Sequence, residues 1–200
     1  MKRDKMQSAD VKDTKYALVD SLFELLRTHK LHEISINQIA DGAHVHRNTF
    51  YYYFESKYDL AKYLVKYKYN RSFKPEDTFK EDAIYRFSKL IHNDFDIYSN
   101  LLASLSVDDC VDIFYQEIRK QILYLVNEKY FDCKIPQEER DYLIYWNSYL
   151  PSIGLAHSIL TEVRGLSMEN FLKKTPNLSV LPNLREATVK ASIEYYKANT

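Results

Sequence analysis

The side chains best suited to recognising another molecule lie close together between residues 35 and 57. Arg47 can form paired hydrogen bonds with guanine, and its neighbour Asn48 can do the same with adenine. The short hydroxyls of Ser35 and Thr49 suit phosphate oxygens, and Tyr52 is able to stack on a sugar or touch a thymine methyl group. This mixture of base-pairing and phosphate-binding groups predicts a DNA-binding surface.

Groups that would catalyse a reaction are much harder to find. An enzyme needs a nucleophile with its base, a metal cluster or a cofactor loop, and the sequence offers none of these patterns. Asp108 and Asp109 are adjacent, so on a helix their side chains diverge by about 100° and are expected to be solvated. His44 and His46 lack a nearby Cys, Asp or Glu at ligand spacing, and only three glycines are present for a phosphate cradle. We therefore predict no enzymatic activity, no metal site and no cofactor.

Apolar spacing predicts that the recognition side chains lie on short helices. Ser35 is placed to cap one helix, and a second follows a tight turn around Ala43–Val45. Together they form a helix-turn-helix, whose second helix enters the major groove so that its first residues reach base edges. The positions expected to hold the pair at a fixed angle are apolar: Ile36, Ile39, Ala40, Val45, Phe50 and Phe54.

The same patterns extend along the whole chain and predict an all-α protein, because no stretch alternates apolar and polar residues as a strand would. Leucines at 18, 22, 25 and 26 mark one face of the first helix. The predicted helices cover 12–28, 35–42, 46–53, 56–70, 81–93, 95–107, 109–130, 137–163 and 183–198.

The segment 35–60 resembles the TetR family of transcription regulators, and the similarity covers residues 12–62. The run 47–60 is most similar to the branch that includes dihydroxyacetone-kinase regulators. The resemblance implies a three-helix DNA-binding domain over 1–62 and a larger helical domain over 63–200 that binds an effector and forms a homodimer. The matching residues are Ser35, Ile39-Ala40, Ala43-His44-Val45, Thr49-Phe50-Tyr51, Tyr53-Phe54, Ser56-Lys57 and Leu60.

The resemblance also implies specific roles and a function. Tyr51 and Lys57 match positions that the family uses for phosphates, and Lys57 lies in the first turn of the fourth helix, where the helix terminus favours an anion. The implied function is a sequence-specific regulator of a double-stranded operator, with an effector-responsive repressor preferred over an activator or a regulator that answers to a protein partner. The predicted DNA-binding set is Ser35, Asn37, His46, Arg47, Asn48, Thr49, Tyr51, Tyr52, Tyr53 and Lys57.

Three positions depart from the family pattern. His44 stands where a turn glycine is usual, so this histidine is predicted to adopt a positive φ. His46 replaces a Ser or Thr and should cap the recognition helix more weakly. Lys30 stands where glycine often ends the first helix. Because no core anchor is lost, the predicted fold is unchanged.

Aromatic residues dominate the second half of the chain, which carries no motif of its own. The predicted helix 137–163 is apolar on two faces, one containing Tyr142 and Trp146 and the other Leu143, Leu150 and Gly154. Such a helix is expected to lie between the core and a second subunit, together with a stripe on 183–198 formed by Leu184, Ala187, Ala191 and Tyr195. An effector pocket is predicted, with core packing as the alternative, from Tyr98, Tyr115, Tyr145, Trp146, Tyr149 and His157.

Composition places limits on these interpretations. The 28 basic and 28 acidic residues cancel, so any basic surface must be local. Two cysteines are too few for a disulfide framework and are expected to be reduced. Pro151 and several polar residues interrupt the apolar stretch Tyr142–Leu160, and the first residues lack the apolar core of a signal peptide. We expect a cytoplasmic protein with no membrane partner.

Overall fold

A computed structural model of the chain describes residues 2–72, 83–129 and 136–165, with residues 187, 189–191 and 193–194. Every regular element within these residues is helical, which confirms the all-α prediction. A 3-10 turn spans Leu31–Glu33, and a π-helical turn covers Leu125–Lys129. The helices are α1 (Lys2–Leu25), α2 (Ile36–Gly42), α3 (Arg47–Tyr53), α4 (Lys57–Ser72), α5 (Ala83–Asn93), α6 (Phe95–Leu102), α7 (Val107–Tyr124) and α8 (Gln137–Gly165).

Two compact units make up the chain. The first contains Met1–Lys68 together with Asp94–Leu105, and the second contains Tyr69–Asn93 and Ser106–Thr200. Helix α6, which the sequence analysis assigned to the effector domain, therefore belongs to the first unit. The assignment of DNA binding to the first part and effector binding to the second stays a prediction.

Several helix ends differ from the predicted boundaries. α1 begins at Lys2, ten residues before the expected start, because nothing between 2 and 11 breaks a helix. It ends at Leu25 because the chain then tightens into a turn, in which the amide of Thr28 donates to the Leu25 carbonyl. The predicted helix 183–198 lies mostly outside the described residues, and those of its positions that are described are helical.

The region between α6 and α7 also differs from the prediction. α6 ends at Leu102 rather than at 107, and α7 begins at Val107 rather than at 109. The hydroxyl of Ser106 accepts a hydrogen bond of 3.0 Å from the amide of Asp109 and so caps the start of α7. Towards its other end, α7 passes into the π-helical turn instead of continuing as an α-helix to residue 130.

Close packing of α1 against α2 fixes the first unit. Ser21 is buried in α1, and its hydroxyl donates a hydrogen bond of 2.8 Å to the carbonyl of Ile39 in α2. A side chain on Gly42 would collide with the same hydroxyl, so this glycine is required by the close approach of the two helices. The apolar core of the unit is formed by Leu18, Leu22, Leu26, Leu31, Ile34, Ile39, Phe50, Phe54, Leu60 and Leu64.

In the second unit, α8 packs along α7 and buries a stripe that includes Ile144, Ser148, Ser152 and Ala156. The Ser148 and Ser152 hydroxyls each donate a 2.6 Å hydrogen bond to the carbonyl four residues earlier, so neither polar group is left unsatisfied. Leu150, grouped with Leu143 in the sequence analysis, is instead exposed, because it lies on the side of α8 opposite Ser148 and Ser152.

No helix in the described ranges combines the length and the apolar character that crossing a bilayer requires.

Candidate nucleic-acid interface

The start of α2 is fixed by the hydrogen bonds of Ser35. Its hydroxyl accepts from the amide of Gln38 at 3.2 Å, while the amide of Ser35 donates to the Gln38 side chain at 2.8 Å. This reciprocal capping box satisfies two amides that the first turn of the helix leaves open. The predicted cap is confirmed, and the Ser35 side chain remains exposed beside Asn37.

The turn between α2 and α3 is formed with a histidine in a left-handed conformation. His44 has a φ of 56°, which confirms the positive angle expected at this position. The amide of Val45 donates to the carbonyl of Ala40 at 2.9 Å and closes the turn. His44 itself is exposed, so the conformation sets the helix angle without placing the imidazole in the core.

Helix α3 presents most of the predicted contact residues to solvent. Phe50 is fully buried and anchors the helix, whereas Tyr52 is 76% exposed and Tyr51 is 46% exposed. His46 precedes the helix with extended backbone angles, and its side chain forms no capping bond with the described residues, as the sequence predicted. Of the other predicted contacts on α3, Arg47 and Asn48 are exposed, while Thr49 and Tyr53 are half-buried.

Arg47 and Tyr51 form a pair on the surface of α3. The guanidinium of Arg47 donates a hydrogen bond of 3.1 Å to the Tyr51 hydroxyl, and its central carbon lies 5.6 Å from the centre of the tyrosine ring. The two side chains stand one helical turn apart, so the bond holds the arginine along the helix surface. The sequence predicted both residues as contacts, but not that one restrains the other.

Lys57 is held by two backbone carbonyls that residue types alone do not indicate. Its ammonium donates hydrogen bonds of 2.8 Å to the carbonyl of His32 and 2.7 Å to the carbonyl of Ile34. Burial lowers the pKa of the Lys57 amine, because partial desolvation disfavours its charged form. The residue stands at the first position of α4, directly after Ser56, whose hydroxyl accepts from the amide of Asp59 at 3.1 Å.

An open groove of about 410 Å³ lies between the starts of α2 and α4 and the exposed side of α3. It brings together the predicted residues Ser35, Asn37, Arg47, Tyr51 and Lys57. The other predicted residues, His46, Asn48, Thr49, Tyr52 and Tyr53, do not line it. Sequence reasoning missed Glu55 and Tyr58, which also line the groove, because neither has the chemistry of a typical phosphate or base contact. Within the described residues there is no cluster of three metal-ligating side chains.

The predicted effector residues fall into two groups. Tyr149 stacks on Tyr145 with ring centres 5.2 Å apart and meets Tyr115 edge-on at 6.1 Å. Trp146 is 45% exposed, and its ring meets that of Tyr145 edge-on with ring centres 5.3 Å apart. His157 is exposed further along α8.

Tyr98 differs from these aromatics because it belongs to the first compact unit. It is fully buried, its hydroxyl finds no hydrogen-bond partner among the described residues, and burial raises the pKa of that hydroxyl.

Comparisons with known proteins agree with this geometry. Residues 18–64 match the family model of bacterial regulatory proteins, tetR family. The HTH-type dhaKLM operon transcriptional activator DhaS of Lactococcus lactis subsp. lactis (strain IL1403) is 27% identical over 143 residues, which cover 70% of this chain and 60% of that relative. The chain thus matches less than two thirds of the relative's length.

A solved structure shows that the fold is shared. The dihydroxyacetone kinase operon activator DhaS superposes with a TM-score of 0.57 and 14% identity, covering 91% of this chain and 97% of its own. The matched segment 18–64 contains α2, the His44 turn and α3, the elements that position the groove. Residues 18–64 are thus similar to the tetR family of bacterial regulatory proteins, and the chain as a whole resembles DhaS in sequence and in fold.

Proposed function

We propose that this chain is a transcription regulator that binds double-stranded DNA with α3 in the major groove. The observation that carries the proposal is the exposed row on α3, where Arg47, Asn48 and Tyr52 stand beside a groove lined by Ser35 and Lys57. Side chains of the first group match base edges and sugars, and those of the second match phosphate oxygens. A DNA-bound regulator of this kind works in the cytoplasm.

Activation fits the comparisons better than the repression that the sequence analysis preferred. The curated relative from Lactococcus lactis is described as a transcriptional activator of the dhaKLM operon. The similarity extends over 70% of this chain, so we infer that this chain also activates its target genes. A reporter fused to a selected operator gives the sign directly, because deletion of an activator lowers expression and deletion of a repressor raises it.

Selection of bound genomic fragments tests the DNA-binding proposal. We expect a near-palindromic motif whose half-sites recur at a separation related to the helical turn. Arg47→Ala should cost about 1–3 kcal/mol and relax the preference at one base of each half-site. The matched control is Lys66→Ala, which removes a cation from an exposed position of α4 outside the groove. A selection without an enriched motif, or the same motif for wild type and Arg47→Ala, contradicts the proposal.

The palindrome in turn requires a homodimer, and the outer face of α8 supports one. Tyr142, Tyr145, Trp146 and Leu150 are large apolar side chains left exposed on this face, and they follow one another at helical spacing. Gly154 continues the face without a side chain, and Ala191 is exposed on the last described helical segment. Large exposed apolar patches mark interaction sites, and small residues permit close approach of a second helix. We propose a second copy of the chain as the occupant.

We further propose that the chain responds to an effector. Tyr145 and Tyr149 stack, and Tyr115 meets Tyr149 edge-on. This cluster suits a mid-sized, partly aromatic molecule, because each hydroxyl can still form a hydrogen bond. A protein partner is the alternative source of the signal. A thermal-shift screen with metabolites separates the two, since a small effector raises the melting temperature of the isolated protein.

A further inference from the structure

We propose that Lys57 is a positioning residue, which fixes the turn 31–34 and thereby the start of α2 at the edge of the groove. The inference rests on the proposed DNA binding for its effect on affinity, but its structural part concerns the free protein alone. A phosphate contact uses the ammonium only as a charge. The role proposed here uses it as a bridge between α4 and the chain segment that leads into α2.

The contacts of the ammonium support this role. Two of its three N–H groups donate to the carbonyls of His32 and Ile34, at 2.8 and 2.7 Å. Hydrogen bonds from a charged donor are shorter and stronger than neutral ones, and these distances lie in that shorter range. The third N–H group is the one that a phosphate oxygen would take. Most of the donor capacity of Lys57 is therefore committed before DNA arrives.

The turn that Lys57 holds leads directly to a recognition element. Leu31 and Ile34 are buried, and the turn is closed by the amides of Glu33 and Ile34, which donate to the carbonyls of Lys30 and Leu31 at 2.9 and 3.3 Å. Ser35, the cap of α2, is the next residue in the chain. Fixing the Ile34 carbonyl therefore fixes where α2 begins relative to the first residue of α4.

Loss of the Lys57 ammonium should destabilise the turn 31–34. Both carbonyls would lose a charged donor, and the partly buried carbonyl of Ile34 would turn towards water, because a buried acceptor without a partner is unfavourable. The turn would then move, and the groove residues Ser35 and Asn37 would move with it. Arginine keeps the charge but not the geometry, since its planar guanidinium cannot take the place of a compact ammonium between two carbonyls.

Three variants test the proposal. Lys57→Met removes the charge and keeps the length, Lys57→Arg keeps the charge, and Lys66→Met is the control on an exposed lysine of the same helix. Hydrogen exchange in the free proteins reports on the turn through the amides of Glu33 and Ile34. Binding of a selected operator duplex over a series of salt concentrations reports on phosphate contacts, whose loss lowers the salt slope by about 0.9 each.

We expect Lys57→Met and Lys57→Arg to speed exchange of the two turn amides at least about tenfold. The amide of Val45, which closes the other turn, and all amides of Lys66→Met should exchange as in wild type. Operator affinity should fall at least about tenfold in both Lys57 variants, although Lys57→Arg keeps the wild-type salt slope. Should Lys57→Met fail to fold, Lys57→Arg carries the same comparison.

Normal exchange at Glu33 and Ile34 in both variants would overturn the proposal. So would full operator affinity in Lys57→Arg, because arginine replaces lysine well as a phosphate contact. A wild-type protein that binds no operator would instead contradict the proposed function, and the exchange measurement would still decide whether Lys57 positions the turn.

Discussion

The substitution Leu150→Glu on the exposed face of α8 should dissociate the proposed homodimer. Leu150 is 56% exposed in the single chain, so the substitution should leave the fold of one protomer intact. In the proposed homodimer the same side chain is covered by the second copy. The substitution then removes apolar contact from the interface and places two carboxylates, related by the two-fold axis, where water is excluded.

The expected effect follows from the exposed fraction. Burying a whole leucine side chain is worth about 1.5–3 kcal/mol, so covering the exposed 56% of Leu150 is worth about 0.8–1.7 kcal/mol. Symmetry doubles the loss to about 2–3 kcal/mol per dimer, and each unpaired buried carboxylate adds further cost. A total of at least about 4 kcal/mol raises the dimer dissociation constant about 1,000-fold, since about 1.4 kcal/mol corresponds to a factor of ten.

Sedimentation velocity over a wide concentration range measures this constant, and circular dichroism checks the helical content of the monomer. Gln116→Glu is the matched control, because it adds the same charge at an exposed position of α7. We expect the control to dimerise as the wild type does. An unchanged dissociation constant for Leu150→Glu would refute the reasoning and place the interface elsewhere, and a wild type that is monomeric at all concentrations would refute the homodimer itself.

Three further predictions concern single side chains. Tyr51→Phe should weaken operator binding about 3- to 10-fold in binding titrations, because one hydrogen bond is worth about 0.5–1.5 kcal/mol. It should also relax the base preference of Arg47. An equal loss of affinity for all sequences would instead assign the Tyr51 hydroxyl to a phosphate. Gly42→Ala should lower the free energy of unfolding by about 1–3 kcal/mol in urea titrations, and Ser21→Ala in the same chain should restore part of it. Gly154→Ala should raise the free energy of unfolding by up to about 1 kcal/mol, since no described atom lies within 4 Å of the added carbon. The same substitution should weaken the proposed dimer, as measured by sedimentation.

The local structure of the helix-turn-helix could be predicted because its determinants are local. Ser35 and Gln38 are three residues apart, and that spacing alone identifies a capping box. The positive φ of His44 followed from the family resemblance, because this histidine stands where a turn glycine is usual. The early start of α1 could not be found in this way, because the residues before position 12 are polar and show no apolar period.

Contacts between distant positions are what the sequence did not reveal. Lys57 donates hydrogen bonds to carbonyls 25 and 23 residues earlier in the chain. Because every residue carries a backbone carbonyl, residue types do not identify such an acceptor. Similarly, two apolar faces could be identified on α8, but their periodicity does not say which one α7 covers. Trp146 and Leu150, which the sequence analysis placed on different faces, are both exposed, whereas the face that packs along α7 includes the polar residues Ser148 and Ser152.

His32 connects the groove with the segment that follows α6. Its carbonyl accepts from Lys57, while its ring nitrogen lies 3.2 Å from the Ser104 hydroxyl. Asn100 of α6 forms a second link, donating a hydrogen bond of 2.9 Å to the carbonyl of Leu26, the residue that follows α1. A signal that shifts residues 94–105 relative to α1 must break or move both contacts. The two hydrogen bonds are worth about 0.5–1.5 kcal/mol each, and the free energy that couples an effector site to a second site is typically about 1–3 kcal/mol. The free energy of these two contacts is therefore sufficient to transmit the proposed response to the turn that Lys57 holds.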